Sequence, residues 1–142
     1  MIRVDVGLDA RSYPIHVGHG CLGDIGQACR DVGLGTRVAV VTNPTVAELY
    51  LEPVRGSLAD AGLSVSVATM PDGEAHKTLS TAGELLGSLI ESGLDRGSAV
   101  VTLGGGVTGD VGGFVAATFM RGIPFVQVPT SLEAQVDASV GG

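Results

Sequence analysis

Apolar and polar positions change rhythm along this chain in a way that separates strands from helices. Residues 2–8 (IRVDVGL) alternate, and residues 13–17 alternate again after the polar turn Asp9-Ala10-Arg11-Ser12. That pattern predicts a β-hairpin with Arg3 and Asp5 on its wet face. Residues 21–34 set Leu22, Ile25, Ala28, Cys29 and Val32 at helical spacing, up to a stop at Gly33 and Gly35. Residues 37–42 (RVAVVT) are β-branched without alternation, as in a strand buried on both faces. Asn43 and Pro44 suit the N-cap and first position of a helix reaching about Gly62, with Val46, Leu49, Tyr50, Val54, Leu58 and Ala61 turned inward. Pro53 falls inside that helix and is expected to kink it or divide it in two.

Residues 63–70 (LSVSVATM) read as the next strand and residues 71–77 as a polar loop. Leu79, Ala82, Leu85, Leu86, Leu89 and Ile90 then form the stripe of a helix ending at Gly93. Residues 98–103 are the central strand. The turn Gly104-Gly105-Gly106 follows it, and a helix opens at Thr108, Gly109 and Asp110 and runs to Met120. Gly112 and Gly113 each cost that helix about 1 kcal/mol relative to Ala, so its inner face is expected to pack closely. Residues 125–128 form a last short strand, and Pro129-Thr130-Ser131 lead to a final segment ending at Gly141-Gly142. Strands alternating with helices predict an α/β, Rossmann-like fold: a mostly parallel sheet, an N-terminal β-hairpin, and helices on both faces. Ligands of such sheets bind beyond the carboxyl ends of the strands. The loops at 43–45, 72–77, 104–110 and 130–131 all follow strands, so they are expected to gather along one edge.

Composition narrows the picture. A chain of 142 residues, 44% hydrophobic and 16% charged, suits one globular domain. Its apolar runs are short for a bilayer and its N-terminus lacks a signal peptide's layout, which makes the cytoplasm the expected location. A net charge of −7, with eight unclustered Lys and Arg residues, argues against nucleic acid as a partner. Cys21 and Cys29 share one predicted helix, match no zinc or redox spacing, and read as buried small hydrophobes. His16, His19 and His76 are too scattered to make a metal site with the carboxylates, so no metal is expected in this chain. Glycine is the departure: 23 residues, used in scattered clusters rather than in a repeat.

The candidate chemistry centres on residues 99–109 (AVVTLGGGVTG), a strand, a glycine turn and a helix start. Glycines let a backbone approach phosphate closely, and the free N–H groups of a helix start attract an anion. Residues 104–109 satisfy G-x-G-x-x-G, yet the next strand ends at Val128-Pro129 without the carboxylate that an ordinary dinucleotide fold offers to a ribose. A tight connection needing glycine only for packing is the other reading. Asp110 is expected in the first helical turn, either as dipole complement or as a carboxylate for ribose or nicotinamide contacts. Asp72, Gly73, Glu74 and Lys77 offer two acceptors and a cation, or a solvated loop before a helix capped by Thr78 or Ser80. Arg121 suits either a helix C-terminus or anion capture, and Asp137 would need a partner if buried.

Taken together, residues 72–77 and the run GGGVTGDVGGFVAATFMRGIPFVQVPTSLEAQVDASVGG at 104–142 resemble the 3-dehydroquinate synthase family, whose wider superfamily includes sugar-phosphate cyclases and glycerol dehydrogenases. The resemblance implies that residues 1–142 are the N-terminal NAD-binding α/β domain of such an enzyme. It implies NAD contacts at Asp72, Gly73, Glu74, Ala75, His76 and Lys77, at Gly106, Val107, Thr108, Gly109 and Asp110, and at Thr130 and Ser131, with Glu74 and its loop replacing the missing ribose carboxylate. Arg121 and Asp137 correspond to positions that contact substrate. The implied reaction converts 3-deoxy-D-arabino-heptulosonate 7-phosphate to 3-dehydroquinate and phosphate, in the shikimate pathway to aromatic amino acids. His76, Ser131 and Glu133 depart from a common Tyr, a common Thr and a usual Leu. In the family, the glycine pair at 141–142 is followed by an active-site lysine and then a helical domain that holds zinc or cobalt through one Glu and two His. That domain is not in this sequence, so the chain alone is expected to be inactive, as a truncated enzyme or one half of a split one. The complete enzyme is expected to be a homodimer. A fragment of a related cyclase or polyol dehydrogenase, or a non-catalytic nucleotide-binding module, are the alternatives.

Overall fold

Four of the β-branched runs pair into one wholly parallel sheet, and the alternating N-terminal run pairs only with itself. In the computed structural model, which describes residues 1–140, β1 (Ile2–Val6) and β2 (Tyr13–Val17) form an antiparallel hairpin. The sheet proper comprises β3 (Arg37–Thr42), β4 (Ser64–Thr69), β5 (Ala99–Gly104) and β6 (Phe125–Pro129), in the order β4-β3-β5-β6. Its helices are α1 (Ile25–Asp31), α2 (Pro44–Asp60), α3 (Leu79–Glu91) and α4 (Gly106–Thr118). α1 and α2 pack Ile25, Cys29, Val54 and Leu58 on one face of the sheet. α3 and α4 pack Ala82, Leu85, Leu89, Val111 and Val115 on the other. The expected α/β architecture is therefore the observed one. Among the described residues, no helix is long and apolar enough to cross a membrane.

Several local expectations need correction. Residues 21–34 open as a 3-10 turn at Cys21–Asp24, and only Ile25–Asp31 is α-helical. Pro53 does not divide α2, because it lies on an exposed face where the carbonyl freed four residues earlier, at Leu49, is open to water. The inner stripe of α2 runs through Val46, Leu51, Val54 and Leu58, whereas Leu49 is 61% exposed. Leu79 and Ile90 of α3 likewise face out, at the rim of a stripe formed by Ala82, Leu85 and Leu89. Cys29 is buried but Cys21 only half-buried, with its thiol on the Gly18 carbonyl.

The hairpin forms as expected, with Arg3 and Asp5 exposed, but its other face is not buried as alternation implies. Ile2, Val4 and Val6 lie opposite Val17, Ile15 and Tyr13, so one of its faces is wholly apolar. That face is uncovered among the described residues, with Ile2 66% and Val17 53% exposed.

The small face of α4 decides how near it lies to the sheet. A Cβ at Gly112 would run into the Thr102 side chain on β5, one at Gly113 would sit 3.2 Å from the Phe125 ring, and one at Gly109 would sit 2.8 Å from Gln127 Oε1. This is the close packing that the two interior glycines imply. Gly56, in contrast, has nothing within 4 Å of its missing Cβ.

Two measurements check this packing. Gly112→Ala gains helix propensity but overpacks, and is expected to lower the unfolding free energy in urea by about 1–2 kcal/mol. Gly56→Ala is expected to raise it by about 0.5–1 kcal/mol. Equal effects at the two positions would mean that α4 does not lie as close as described. Burial also pushes the Cys29 thiol up to about 11. Iodoacetamide at pH 8 should therefore label Cys21 in the native protein, and Cys29 only after unfolding.

Candidate functional site

Parallel register sets the carboxyl ends of the four strands level with one another. Thr42 pairs with Thr69, Val41 with Thr102, and Gly104 with Pro129, so Asn43, Met70, Gly104 and Pro129 open their loops from one row. The chain leaves β3 toward β4 and leaves β5 toward β6, which makes the gap between β3 and β5 the point where the winding reverses. Doubly wound sheets bind ligands at that point.

The glycine turn lies there, and α4 starts earlier than its sequence suggests. Gly105 is the N-cap and Gly106 the first helical residue, because the packed underside of α4 outweighs the poor helix propensity of its glycines. Asp110 is consequently in the second turn, outside the reach of simple dipole complementarity. Neighbours within the chain account for all three glycines of the turn. A Cβ at Gly104 would lie 2.6 Å from Thr108, one at Gly105 would lie 3.3 Å from Ser131 Oγ, and one at Gly106 would lie 3.3 Å from the Ala138 Cβ.

What the chain leaves unmet is the N-terminus of α4. Asn43 caps α2 by accepting from the Val46 N–H at 2.9 Å, and Thr78 caps α3 by accepting from the Thr81 N–H at 3.2 Å. Among the described residues, no side chain caps α4. The backbone N–H groups of Gly106, Val107 and Thr108 therefore keep their partial positive charge at the open edge. The side chains of this stretch turn into the protein. Val107 packs against the core shared by α3 and α4, and the buried Thr108 hydroxyl accepts from Asn43 Nδ2 at 3.4 Å.

The loop of residues 71–78 crosses this edge and is tied at both ends. Thr45, in the first turn of α2, donates to Asp72 Oδ2 at 2.8 Å. Lys77 Nζ donates to Asp110 Oδ2 at 2.6 Å and lies 3.9 Å from Glu74. The hydrogen bond and charge of Asp110 hold the Lys77 amine above its usual range. Gly73 turns the loop at φ 99°, and Glu74–His76 form a short 3-10 turn that leaves Glu74, Ala75 and His76 exposed. On the far side, the Thr130 N–H bonds the Gly104 carbonyl at 2.9 Å, and Ser131 stands over Gly105. A π-helical turn at Ala134–Ala138 then folds back above Gly106, with Asp137 exposed on it. Gly141 and Gly142, the end of the run used for the family resemblance, lie outside the described residues.

The structure thus brings together the candidates at 72–77, 106–110, 130–131 and 137. Arg121 is not among them. α4 runs its 13 residues, roughly 20 Å, back along the sheet, so Arg121 emerges exposed at the opposite edge, near where β6 begins. It sits there at φ 72°, after Met120 at φ 49°. Loop 43–45 lies at this edge as expected, but the sequence assigned no contact to Thr45 and only a helix cap to the Asn43 side chain. Among the described residues, no three His, Cys, Asp or Glu side chains come together as a ligand set for a metal.

Comparison with known proteins identifies the relatives of this edge. The family model for 3-dehydroquinate synthase N-terminal portions matches residues 67–142, more than half of the chain. The curated 3-dehydroquinate synthases of Pelotomaculum thermopropionicum and Geotalea uraniireducens are each 58% identical over 142 residues. Those 142 residues are 100% of this chain and 38% and 39% of those proteins. The chain therefore spans about two-fifths of the length of the relatives it matches. Among solved structures, 2-deoxy-scyllo-inosose synthase complexed with carbaglucose-6-phosphate, NAD+ and Co2+ superposes with a TM-score of 0.87 at 25% identity. It covers 96% of this chain and 38% of that one. The 2-epi-5-epi-valiolone synthase of Streptomyces hygroscopicus, with NAD+ and Zn2+ bound, gives 0.79 at 29% identity, covering 96% and 37%.

The Lys77–Asp110 pair is half-exposed, so it serves geometry more than stability. Asp110→Asn should leave the thermal midpoint unchanged and let the Lys77 pKa fall back toward that of an ordinary amine, followed by NMR titration of its side chain. Because the amine is raised, the contribution of the pair is complete at neutral pH. It fades only as pH climbs above 10.5 through the raised value. An unmoved Lys77 titration in the variant would show that the contact does not persist in solution.

Proposed function

The chain belongs to the 3-dehydroquinate synthase N-terminal family, and from that membership we propose that it is the NAD-binding α/β part of such an enzyme. The whole enzyme converts 3-deoxy-D-arabino-heptulosonate 7-phosphate to 3-dehydroquinate and phosphate. One observation carries the reading. Among the α-helices that start at the loop edge in the described residues, α4 alone is left uncapped, it opens at the winding reversal, and proteins of 25% and 29% identity superposing here have NAD+ bound. A pyrophosphate on the free N–H groups of Gly106, Val107 and Thr108 needs no charged side chain. The carboxylates of Asp72 and Glu74 are acceptors for ribose hydroxyls. Lys77 adds positive charge while neutralising Asp110, which would otherwise repel a dinucleotide. Thr130 and Ser131 wall the other side of the glycine turn.

When bound, NAD supplies a hydride acceptor and donor for a ring carbon of the substrate. This chain contributes binding, orientation and the field of α4. Asp137, exposed on the turn above Gly106, is the residue of this edge assigned to substrate. Arg121, about 20 Å along α4 from this edge, keeps only the substrate contact that the family resemblance implies for the whole enzyme and no part in holding NAD. The divalent metal of the whole enzyme is assigned to the portion of the relatives that this chain does not span. A phosphorylated substrate and NAD make the cytoplasm the proposed location.

Gly105→Asp tests the reading. Its φ of −79° and ψ of −169° suit an N-cap aspartate, and Ser131 Oγ can rotate away from the new Cβ. The variant should melt no lower than the parent, because the carboxylate caps α4. Titration calorimetry should show NAD+ affinity down by at least about tenfold, because the same carboxylate occupies the anion position and repels the ligand. A stable variant that binds NAD+ as the parent does would mean that the pyrophosphate sits elsewhere.

A further inference from the structure

The hydrogen bond from Thr45 to Asp72 joins the first turn of α2 to the loop of residues 71–78, 27 residues on in sequence, and it uses only one of the two carboxylate oxygens. Thr45 is the second residue of α2, so Asp72 lies against the positive end of a 17-residue helix as well as against a hydroxyl donor. The loop backbone restricts it further. The Met70 N–H bonds the Thr42 carbonyl at 2.9 Å, Pro71 fixes the next torsion, and Gly73 turns away at φ 99°. The carboxylate is thereby held with Oδ2 engaged and Oδ1 left as a free acceptor.

A fixed carboxylate oxygen of this kind accepts from a neutral hydroxyl and repels a phosphate dianion. Met70 opens its loop level with Gly104 and two strands away from it, about 10 Å across the sheet. A dinucleotide with its pyrophosphate on α4 can reach that distance with its adenosine ribose, the one whose 2′-oxygen carries the extra phosphate of NADP. We propose that Thr45 is a specificity-positioning residue: by holding Asp72, it makes this edge accept a dinucleotide with a free ribose 2′-hydroxyl and reject its 2′-phosphorylated counterpart. The proposal rests on the NAD reading above and adds to it the residue that sets cofactor choice. Thr45 acts through Asp72 and touches no reacting atom.

The experiment titrates NAD+ and NADP+ separately into the 142-residue chain and into the Thr45→Val, Thr45→Ser and Asp72→Asn variants, with a melting curve for each. The parent should prefer NAD+ by at least about tenfold. Thr45→Val should weaken NAD+ binding by about five- to tenfold and narrow the NAD+/NADP+ ratio, with an unchanged midpoint. Thr45→Ser keeps the donor and should restore both affinity and ratio. Asp72→Asn, which keeps shape and loses charge, should narrow the ratio most, and it decides the matter if the valine variant folds poorly. A parent that binds NAD+ beside a Thr45→Val variant with the same affinity and ratio overturns the role of Thr45 alone. Equal weakening of both dinucleotides by Thr45→Val overturns the specificity claim. No NAD+ binding by the parent overturns this inference together with the NAD reading.

Discussion

The distance between α4 and the sheet is the constraint from which the loop edge follows. Gly109, Gly112 and Gly113 offer no side chains, and Gln127, Thr102 and Phe125 fill the room they leave. A helix seated this low must leave β5 through a turn with equally little bulk, and Gly104, Gly105 and Gly106 each press against the chain's own atoms. The axis of α4 is thus set close above the end of β5, with its first N–H groups at the reversal between β3 and β5. Larger residues on that underside would lift the helix and move its positive end away from the neighbouring loops.

Charge at this edge is arranged against the chain's overall balance. A net charge of −7 disfavours any anionic ligand at long range. Close to the open end of α4, however, the side chains are neutral: Asn43, Thr108, Thr130 and Ser131. Asp110, a turn further along α4, is bound by Lys77. Asp72 and Glu74 stand farther out on the loop of residues 71–78, where hydroxyls rather than phosphates suit them. The edge therefore has an anion-accepting centre with a hydroxyl-accepting flank.

Most of the frame was legible in the sequence because strands buried on both faces are written as unbroken β-branched runs. β3 begins and ends where its pattern does, and Asn43 and Thr78 cap their helices as their residue types suggest. The misreadings have physical causes. Glycine propensity placed the start of α4 too late, since packing against β5 and β6 outweighs it. Leu49, Leu79 and Ile90 fit a helical period but lie outside the buried stripes of their helices, which are set by Val54 and Leu58 in α2 and by Ala82, Leu85 and Leu89 in α3. The hairpin's alternation marked its wet face correctly, yet alternation carries no information about what, if anything, covers its apolar face. The Lys77–Asp110 and Thr45–Asp72 contacts join residues 33 and 27 positions apart, a relation that only the winding of the sheet creates.

The glycine turn shows why a motif match and a binding site are separate claims. The turn satisfies G-x-G-x-x-G and its glycines would let a phosphate approach the backbone. Thr108, Ser131 and Ala138 account for them without any ligand. The feature without an internal account is the bare start of α4, in a chain whose other long helices use Asn43 and Thr78 to satisfy the same groups. Unsatisfied N–H groups at a reversal point are a demand that the fold itself does not meet, and a pyrophosphate meets it. A capping residue missing before a helix is thus a sharper signal of anion binding here than the glycines beside it. The same reasoning separates Arg121 from this edge: its charge suits an anion, but the helix between them carries it to the other end of the sheet.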